Sequence, residues 1–385
     1  MGSLNIKVVP GALTDLTILD FSRVLAGPFA TMLFGDLGAE VIKVERPGMG
    51  DDTRGWGPPF DDRGDATYFL SVNRNKRSVV LDLMRAEDLA RARSLASDAD
   101  VLVENFRPGL MDELGLGYDD LRGENPGLIY CSITGFGRGE GAKLPGYDLL
   151  VQALGGLMSI TGPADGEPQK VGVALVDVLA GLFASVGILA ALHHRERTGQ
   201  GQRVEVTLLG ALLAALVNQA SAYTVAGVVP ERMGNAHPSI APYELFDAAE
   251  GQLVIGVGTD RQFTTLCEVV GAPELASDPR FASNTARVEH RTELRAELEK
   301  RLAHGPAEVW AERLIAARVP AGVVNDLAAA FALAQSVGLD PIVSIPRGDG
   351  AEVRLTRNPI ALSATAPEYR VAPPPLAQHE REDRM

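Results

Sequence analysis

The chain has 385 residues, and its 36 basic and 50 acidic side chains give a formal net charge of −14. With 46% hydrophobic and 22% charged residues, the composition is that of a globular protein, not of a disordered chain or a disulfide scaffold. The acidic balance argues against a nucleic acid or an anionic membrane as a partner, because either needs a broad basic surface. The length suggests two or three domains.

Cysteine usage and the N-terminus both favour the cytoplasm. Cys131 and Cys267 lie far apart in the sequence, which is typical of a reducing compartment. The N-terminal stretch has no sustained apolar run before Pro10, so we expect no secretory signal. The most apolar stretches, 178–192 and 208–217, are shorter than the roughly 20 residues of a spanning helix, which predicts buried helices.

Strand and helix patterns alternate over the first two hundred residues. Apolar, β-rich runs occur at 16–21, 40–45, 78–83, 99–105 and 127–137. Helical spacing follows Pro28 and also covers EDLARARSLASD. Strands separated by helices predict a Rossmann-like α/β domain with a largely parallel sheet and ligand loops at the carboxyl ends of its strands.

The composition changes near Pro230. The turn-rich stretch ERMGNAHPSIAP is followed by short strand patterns, YELFDA and QLVIGVG, and by a charged helix. We therefore expect a large domain over 1–225, which includes a long connecting helix, and a smaller α+β domain over 226–320. The last segment, 321–385, ends in a proline-rich stretch that predicts an extended arm.

Nucleotide and metal fingerprints are incomplete. GFGRGEG at 135–141 fails the GxGxxG pattern because Glu140 takes the place of the last glycine, and GxxxxGK[ST] does not occur. His193 and His194 are adjacent, and HExxH or Cys/His ligand spacing does not occur either. We therefore expect neither a metal site nor ordinary NAD chemistry.

Basic residues stand beside three of the predicted strands. Arg74, Lys76 and Arg77 form a positive loop, while Arg46 and Arg107 follow two other strands. Arranged along one edge of a parallel sheet, they would suit a compact ligand that carries several phosphates. A solvated surface loop is the alternative for residues 74–77.

Several distinctive blocks follow one another along the chain, among them LDFSRVLAGPFATMLFGDLGAEVIKVERPGMGD, NRNKRSVVLDL, ADVLVENFRPG, GLIYCSITGFG and ALHHRERTGQGQRVEV. In this order they resemble the class III CoA-transferases of the CaiB/BaiF type. This family includes formyl-CoA and carnitine CoA-transferases and also α-methylacyl-CoA racemases. The resemblance implies a large domain completed by the C-terminal segment, a small domain, an interlocked-ring homodimer, and acyl-CoA and carboxylic acid substrates with no cofactor beyond coenzyme A.

The resemblance also implies which residues hold CoA. The positions that match CoA-binding places of the family are Arg23, Val24, Ala26, Arg46, Asn75, Lys76, Arg77, Asn105 and Phe106. Relatives vary at Arg107, which we add because of its charge. Gly135, Gly137 and Gly234 are candidates to stabilise oxyanions through their backbone N–H groups.

Asp177 matches the family's catalytic aspartate. It stands near the start of an apolar helix, where a carboxylate is favoured, and the residues alone favour a structural N-cap; the resemblance favours the catalytic role instead. The resemblance implies that it attacks the acyl-CoA thioester to form an anhydride and then an aspartyl-CoA thioester.

A racemase is the alternative function. Racemases that resemble this chain place a histidine before an aspartate, whereas PGYDLLVQ has Tyr147 before Asp148 and no nearby histidine. The block RMGNAHPSIAPYELF resembles transferases that use succinyl-CoA and C4–C5 dicarboxylic acids, and Leu25 stands where formyl-CoA transferase has glutamine. His237 could orient an acyl carboxylate or simply occupy a turn before Pro238.

Overall fold

The computed structural model describes residues 11–378. The first unit comprises residues 11–157, 171–227 and 340–378, and the second comprises 158–170 and 228–339. The N-terminal residues on which the expectation of no secretory signal partly rests, and the end of the predicted arm, lie outside the described residues.

The first unit is built on a six-stranded, fully parallel sheet. Its strands are β1 (Thr17–Asp20), β2 (Glu40–Glu45), β3 (Arg77–Val80), β4 (Val101–Glu104), β5 (Ile129–Thr134) and β6 (Arg203–Thr207). The strand order is β3-β2-β1-β4-β5-β6. This order confirms the predicted α/β class, and it places the point where the chain reverses direction across the sheet between β1 and β4.

Helices connect the strands of the first unit. They are α1 (Ala26–Asp36), α2 (Thr67–Val72), α3 (Ala86–Asp98), α4 (Leu110–Glu113), α5 (Tyr118–Leu121), α6 (Asp148–Leu154), α7 (Leu157–Ile160), α8 (Leu175–Thr198), α9 (Leu208–Ala215) and α10 (Val217–Ala226). Short 3₁₀ turns span Asp52–Gly55 and Glu140–Lys143. Helix α7 lies at the boundary, since its last residues belong to the second unit.

Both faces of the sheet are covered, because successive strand residues point to opposite sides. In β1, Ile18 packs into one core with residues of α1 and α8, whereas Leu19 packs into another core with Ala92 and Ala96 of α3. All four of these residues are fully buried. Near-continuous hydrophobic strands of this kind are typical of a sheet buried on both faces.

Helix α8 is longer than the apolar run in the sequence indicated. It spans 24 residues and is long and apolar enough to cross a membrane by length and composition alone. Apolar core helices pass the same test. One face, with Ala180, Ala184 and Ile188, packs against the sheet and α1. Leu182, Phe183 and Val186 on other faces are at least 43% exposed.

The second unit contains a three-stranded antiparallel sheet. Its strands are β7 (Tyr243–Asp247), β8 (Gln252–Gly256) and β9 (Ala321–Val323). Its helices are α11 (Asp260–Val269), α12 (Asn284–Glu289), α13 (Arg291–Leu302), α14 (Ala307–Ala316) and α15 (Leu327–Ser336), with a 3₁₀ turn at Pro273–Ser277. Phe246, Leu253 and Trp310 share its own hydrophobic core.

The described boundaries differ from the predicted 225/226 and 320/321. Residues 321–339 belong to the second unit because β9 pairs with β8, and residues 158–170 join it because Gly234 donates a hydrogen bond to the carbonyl of Gly162. The chain returns to the first unit as the hairpin of β10 (Ile342–Pro346) and β11 (Glu352–Thr356), which packs against Phe69 and Leu70.

Candidate active site

Two neighbouring cavities open at the carboxyl ends of the strands in the first unit. The larger, of about 420 Å³, and the smaller, of about 210 Å³, share Arg23 and Phe106 in their linings. Arg23 follows β1 and Phe106 follows β4, so the cavities lie where an open α/β sheet is expected to bind its ligand.

The larger cavity brings together most of the residues that the sequence singled out. These are Arg23, Val24, Ala26, Asn105, Phe106, Arg107, Gly135, Tyr147, Asp148 and Asp177. The smaller cavity has Arg46 in its lining and is otherwise rich in apolar side chains, among them Phe21, Val44, Leu81, Leu83, Leu110 and Leu114. A polar, partly cationic cavity therefore adjoins an apolar one.

The loop between β1 and α1 is held from both sides. The Asn105 side chain accepts a hydrogen bond from the Arg23 backbone N–H at 2.8 Å and donates one to the Arg23 carbonyl at 2.7 Å. On the other side, both carboxylate oxygens of Asp51 lie 3.3 Å from the Val24 backbone nitrogen and accept its hydrogen bond. The Asn105 side chain thus holds the backbone of Arg23 in place and also lines the cavity.

Two arginines share one carboxylate at the junction of the cavities. Asp52 pairs with Arg46 and lies 3.4 Å from a terminal nitrogen of Arg23. The Arg23 guanidinium also lies over the Phe106 ring, 5.2 Å from its centroid. Both arginines are partly exposed, so their remaining N–H donors are available to an anionic ligand.

Asp177 is the third residue of α8, not its N-cap, since the N-cap is Ala174. No described residue donates a hydrogen bond to its carboxylate, which is part of the lining of the larger cavity. Burial, together with the nearby charge of Asp148, raises the pKa of the Asp177 carboxyl to about 7. Asp177 therefore exchanges its proton close to neutral pH.

Asp148 supplies the cap that Asp177 does not. One of its oxygens accepts hydrogen bonds from the backbone N–H groups of Val176, at 2.8 Å, and Asp177, at 3.3 Å. The other accepts a hydrogen bond from the Gln152 amide at 2.6 Å. The first turn of α8 is thereby stabilised by a residue of α6, and the Asp177 carboxyl has no structural bond to break.

Close packing of two glycines positions the segment that carries Tyr147 and Asp148. A Cβ atom added to Gly135, just after β5, would lie 2.4 Å from the Cα of Gly146. Since real Cβ atoms do not approach a backbone atom so closely, this contact requires glycine at both positions. The Tyr147 side chain itself is largely exposed.

Tyr68 lies near the site and was missed by sequence reasoning, although it is in neither cavity lining. Its ring contacts Trp56 edge to face with centroids 5.3 Å apart, and it packs against the buried cluster of Leu25, Met32 and Val72. Burial and the charges of Asp177, Asp148 and Asp51 raise the pKa of its hydroxyl to about 12. The sequence around Tyr68 does not indicate a functional role, because Tyr68 comes near Asp177 only in the folded chain.

The basic loop at 74–77 lies at the opposite edge of the sheet from the one expected. Because β3 begins at Arg77 and runs parallel to β2, this loop is at the amino end of its strand, whereas Arg46 follows the carboxyl end of β2. Neither cavity lining contains residues 74–77. The expectation that all the basic groups share one edge was therefore wrong.

The polar side chains of this loop bind other parts of the chain. The Lys76 ammonium is fully buried and contacts an Asp20 oxygen at 3.1 Å and the Pro28 carbonyl at 2.9 Å. The Asn75 side chain donates to Asp36 and accepts from backbone N–H groups of the C-terminal segment. Arg77 pairs with Glu40 at 2.7 Å. A structural role accounts for Asn75 and Lys76.

Three further predicted residues are not in the linings of the two cavities. The Gly137 N–H donates to the Thr134 hydroxyl, and the Gly234 N–H donates to a backbone carbonyl. His237, like Gly234, belongs to the second unit, where its ring contacts Tyr243 at 5.3 Å and accepts a hydrogen bond from the Ser239 N–H. Within residues 11–378, no group of three or more His, Cys, Asp or Glu side chains could hold a metal ion.

The arrangement combines a carboxyl without hydrogen-bond donors, two arginines and an adjoining apolar cavity. A carboxylate that lacks donors can attack an acyl carbon, because no bond must be broken first. The arginines suit phosphate oxygens, and the apolar cavity suits a flat, weakly polar group such as a nucleobase. A phosphorylated acyl carrier fits this combination.

Comparison with known proteins agrees with these features. A model described as CoA-transferase family III matches residues 13–380. A succinate–glutarate CoA-transferase of Agrobacterium fabrum is 42% identical over 96% of this chain and 94% of its own length. A succinyl-CoA:glutarate CoA-transferase of Mus musculus is also 42% identical, over 96% of this chain and 85% of its own. An acetyl-CoA:oxalate CoA-transferase of Acetobacter aceti is 42% identical over 92% and 90%.

A solved structure is similar over nearly the whole chain. The crystal structure of a CaiB/BaiF family protein from Brucella suis matches with a TM-score of 0.87 and 42% sequence identity, covering 98% of this chain and 99% of that one. The chain therefore belongs to CoA-transferase family III and is a CoA-transferase.

Proposed function

We propose that this chain moves CoA from succinyl-CoA to a short dicarboxylic acid, with Asp177 as the covalent nucleophile. The observation that carries the proposal is the position of Asp177: its carboxyl lines the cavity that also contains Arg23, Asn105 and Phe106, and it accepts no hydrogen bond from any described residue. The names of the A. fabrum and M. musculus relatives support succinyl-CoA as donor and glutarate as acceptor.

The first half-reaction transfers CoA to the enzyme. A carboxylate oxygen of Asp177 attacks the thioester carbon of the donor, the carbon–sulfur bond breaks, and CoA leaves as the thiolate. The product is a mixed anhydride of Asp177 and the donor acid. The thiolate then attacks the aspartyl carbonyl carbon, the anhydride C–O bond breaks, and the donor acid leaves as a carboxylate.

The second half-reaction is the reverse with another acid. The acceptor carboxylate attacks the aspartyl-CoA thioester, which releases the thiolate and forms a new anhydride. Attack of the thiolate on the acceptor's acyl carbon gives the new acyl-CoA and restores the Asp177 carboxylate. No net proton is taken up, and we propose that no cofactor beyond coenzyme A is required.

The two cavities suggest how CoA binds. In our proposal the adenine occupies the smaller, apolar cavity, and the phosphates meet Arg23 and Arg46 at the junction. The pantetheine arm then extends through the larger cavity towards Asp177. Arg107 is exposed, pairs with Glu113 at 2.9 Å, and can contribute a further positive charge at the rim.

We also propose a cytoplasmic, interlocked homodimer. Exposed apolar side chains of α8 and α10, among them Phe183, Val186 and Tyr223, leave a face that a second copy would cover. Light scattering coupled to size exclusion tests the mass: a monomer at micromolar concentration would contradict this part of the proposal.

Product analysis tests the function. The protein is incubated with succinyl-CoA and glutarate, oxalate or other mono- and dicarboxylic acids, and the thioesters are separated by chromatography. We expect glutaryl-CoA and free succinate in equal amounts, and none with D177N. Exchange of the α-proton of a 2-methylacyl-CoA into D₂O without any acceptor acid would instead support a racemase.

A further inference from the structure

Val24 has a backbone conformation that valine rarely adopts. Its φ is 69°, in the left-handed region, where a β-branched side chain is strained. Among the described non-glycine residues with positive φ, Val24 is the one that lines either cavity. Strained residues of this kind persist only where their surroundings hold them.

Asp51 is the group that holds the Val24 amide. Its two oxygens share the Val24 N–H at 3.3 Å each. The Asp51 carboxylate is itself fixed by the buried Lys43 ammonium at 2.9 Å and by the backbone N–H and hydroxyl of Thr53 at 3.0 and 2.8 Å. The side chains of Asp51 and Lys43 are fully buried.

This contact joins the two cavities. Asp51 and Lys43 belong to the lining of the smaller cavity, and Val24 belongs to the lining of the larger one. If the Val24 N–H lost its acceptor, the residue could relax to negative φ, which would turn its two peptide groups and change the wall between Arg23 and Ala26.

We propose that Asp51 is a positioning residue for CoA, which keeps Val24 in the left-handed conformation that shapes the binding wall. The inference rests on the proposed function, in which these cavities bind the CoA thioester. Asp51 makes no hydrogen bond to Asp177, so we expect it to act on binding and not on the covalent steps.

A glycine substitution provides a specific test. Glycine adopts positive φ without strain, so V24G no longer needs the Asp51 acceptor. We compare D51L, which removes both acceptor oxygens at similar volume, with wild type, and V24G/D51L with V24G, by KM and kcat with the acyl-CoA donor and by calorimetric Kd for CoA. In the valine background we expect D51L to weaken CoA binding about tenfold or more, with kcat at saturation nearly unchanged. In the glycine background the same substitution should weaken binding by less than about threefold.

D36L is the matched control. Like Asp51, Asp36 is a buried carboxylate with a buried cationic partner, here Arg74, but it lies in neither cavity lining. D36L is expected to lower the thermal unfolding temperature, and V24G should not alter its effect. Equal losses of CoA affinity from D51L in the valine and glycine backgrounds would overturn the role of Asp51.

Folding of D51L itself needs a second comparison, because Lys43 would lose its closest carboxylate. The effect of D51L on CoA affinity is therefore also measured in K43M and in K43M/V24G, where no buried ammonium is left unpaired. Loss confined to the valine background supports the proposal, and equal loss in both overturns it. Wild-type protein that fails to bind CoA would overturn the proposed function as well, before any variant is compared.

Discussion

Asp148 accepts a hydrogen bond from the backbone N–H of Asp177 at 3.3 Å, and its charge adds to burial in raising the pKa of the Asp177 carboxyl to about 7. The Asp148 side chain thus caps the helix and helps to hold the pKa of Asp177 near neutral pH. Because capping is done by Asp148, the Asp177 carboxyl is left to react.

Activity should rise with pH through about 7. Burial first, and the Asp148 charge second, raise the pKa of Asp177 to about 7, and only the ionised carboxylate is a nucleophile. The measurement is kcat/KM for the acyl-CoA donor between pH 5 and 9, which reports the free enzyme. D148N keeps an oxygen for the helix cap but removes the charge, so its rising limb should move to lower pH. D119N removes an exposed carboxylate and is the control, so its pH profile should match that of wild type. A D148N profile that also matches wild type would contradict this assignment.

Stability should respond to the same group with the opposite sign. Between its unfolded pKa of 3.8 and its folded pKa of about 7, Asp177 holds more proton in the folded state, so stability falls as pH rises through this range. D177N lacks this loss. Its unfolding free energy relative to wild type should therefore increase from pH 5 to pH 8, by about 2 to 4 kcal/mol. A pH-independent difference in urea unfolding would refute the raised pKa.

Arg46 should contribute to CoA affinity. Hydrogen bonds to charged groups are worth about 1.5–3 kcal/mol, so R46A should weaken CoA binding about ten- to a hundredfold. Calorimetry at two salt concentrations should also show a weaker salt dependence. R93A is the control, since Arg93 pairs with Glu124 and lies in neither cavity lining. Equal affinities of R46A and wild type would remove Arg46 from the site.

Lys76 should matter for folding. K76M leaves the buried Asp20 carboxylate without this ion pair, and breaking a buried pair costs about 3–5 kcal/mol of unfolding free energy. Urea titration measures the loss, with the exposed K300M as control. A K76M variant that is as stable as wild type but binds CoA poorly would instead indicate that Lys76 contacts CoA directly.

The sequence predicted the parallel sheet well because several of its strands are short, buried runs rich in β-branched and apolar residues, such as VLVE in β4 and IYCSIT in β5. It also indicated Asp177, Arg23 and Arg46 through the resemblance. Placement of Lys76 failed because a basic loop before a strand and one after it look alike in sequence, whereas a parallel sheet puts them at opposite edges. Asp51 could not be recognised because its role depends on the φ angle of Val24.

Trapping of the enzyme-bound intermediate tests the nucleophile most directly. The protein is incubated with succinyl-CoA alone, treated with hydroxylamine and digested with trypsin. Peptide 171–195 contains Asp177 as its sole acidic side chain, so any carboxyl modification there identifies the residue. We predict a hydroxamate at Asp177 that depends on succinyl-CoA and is absent from D177N. An unmodified peptide from protein that transfers CoA at full rate would contradict covalent catalysis by Asp177.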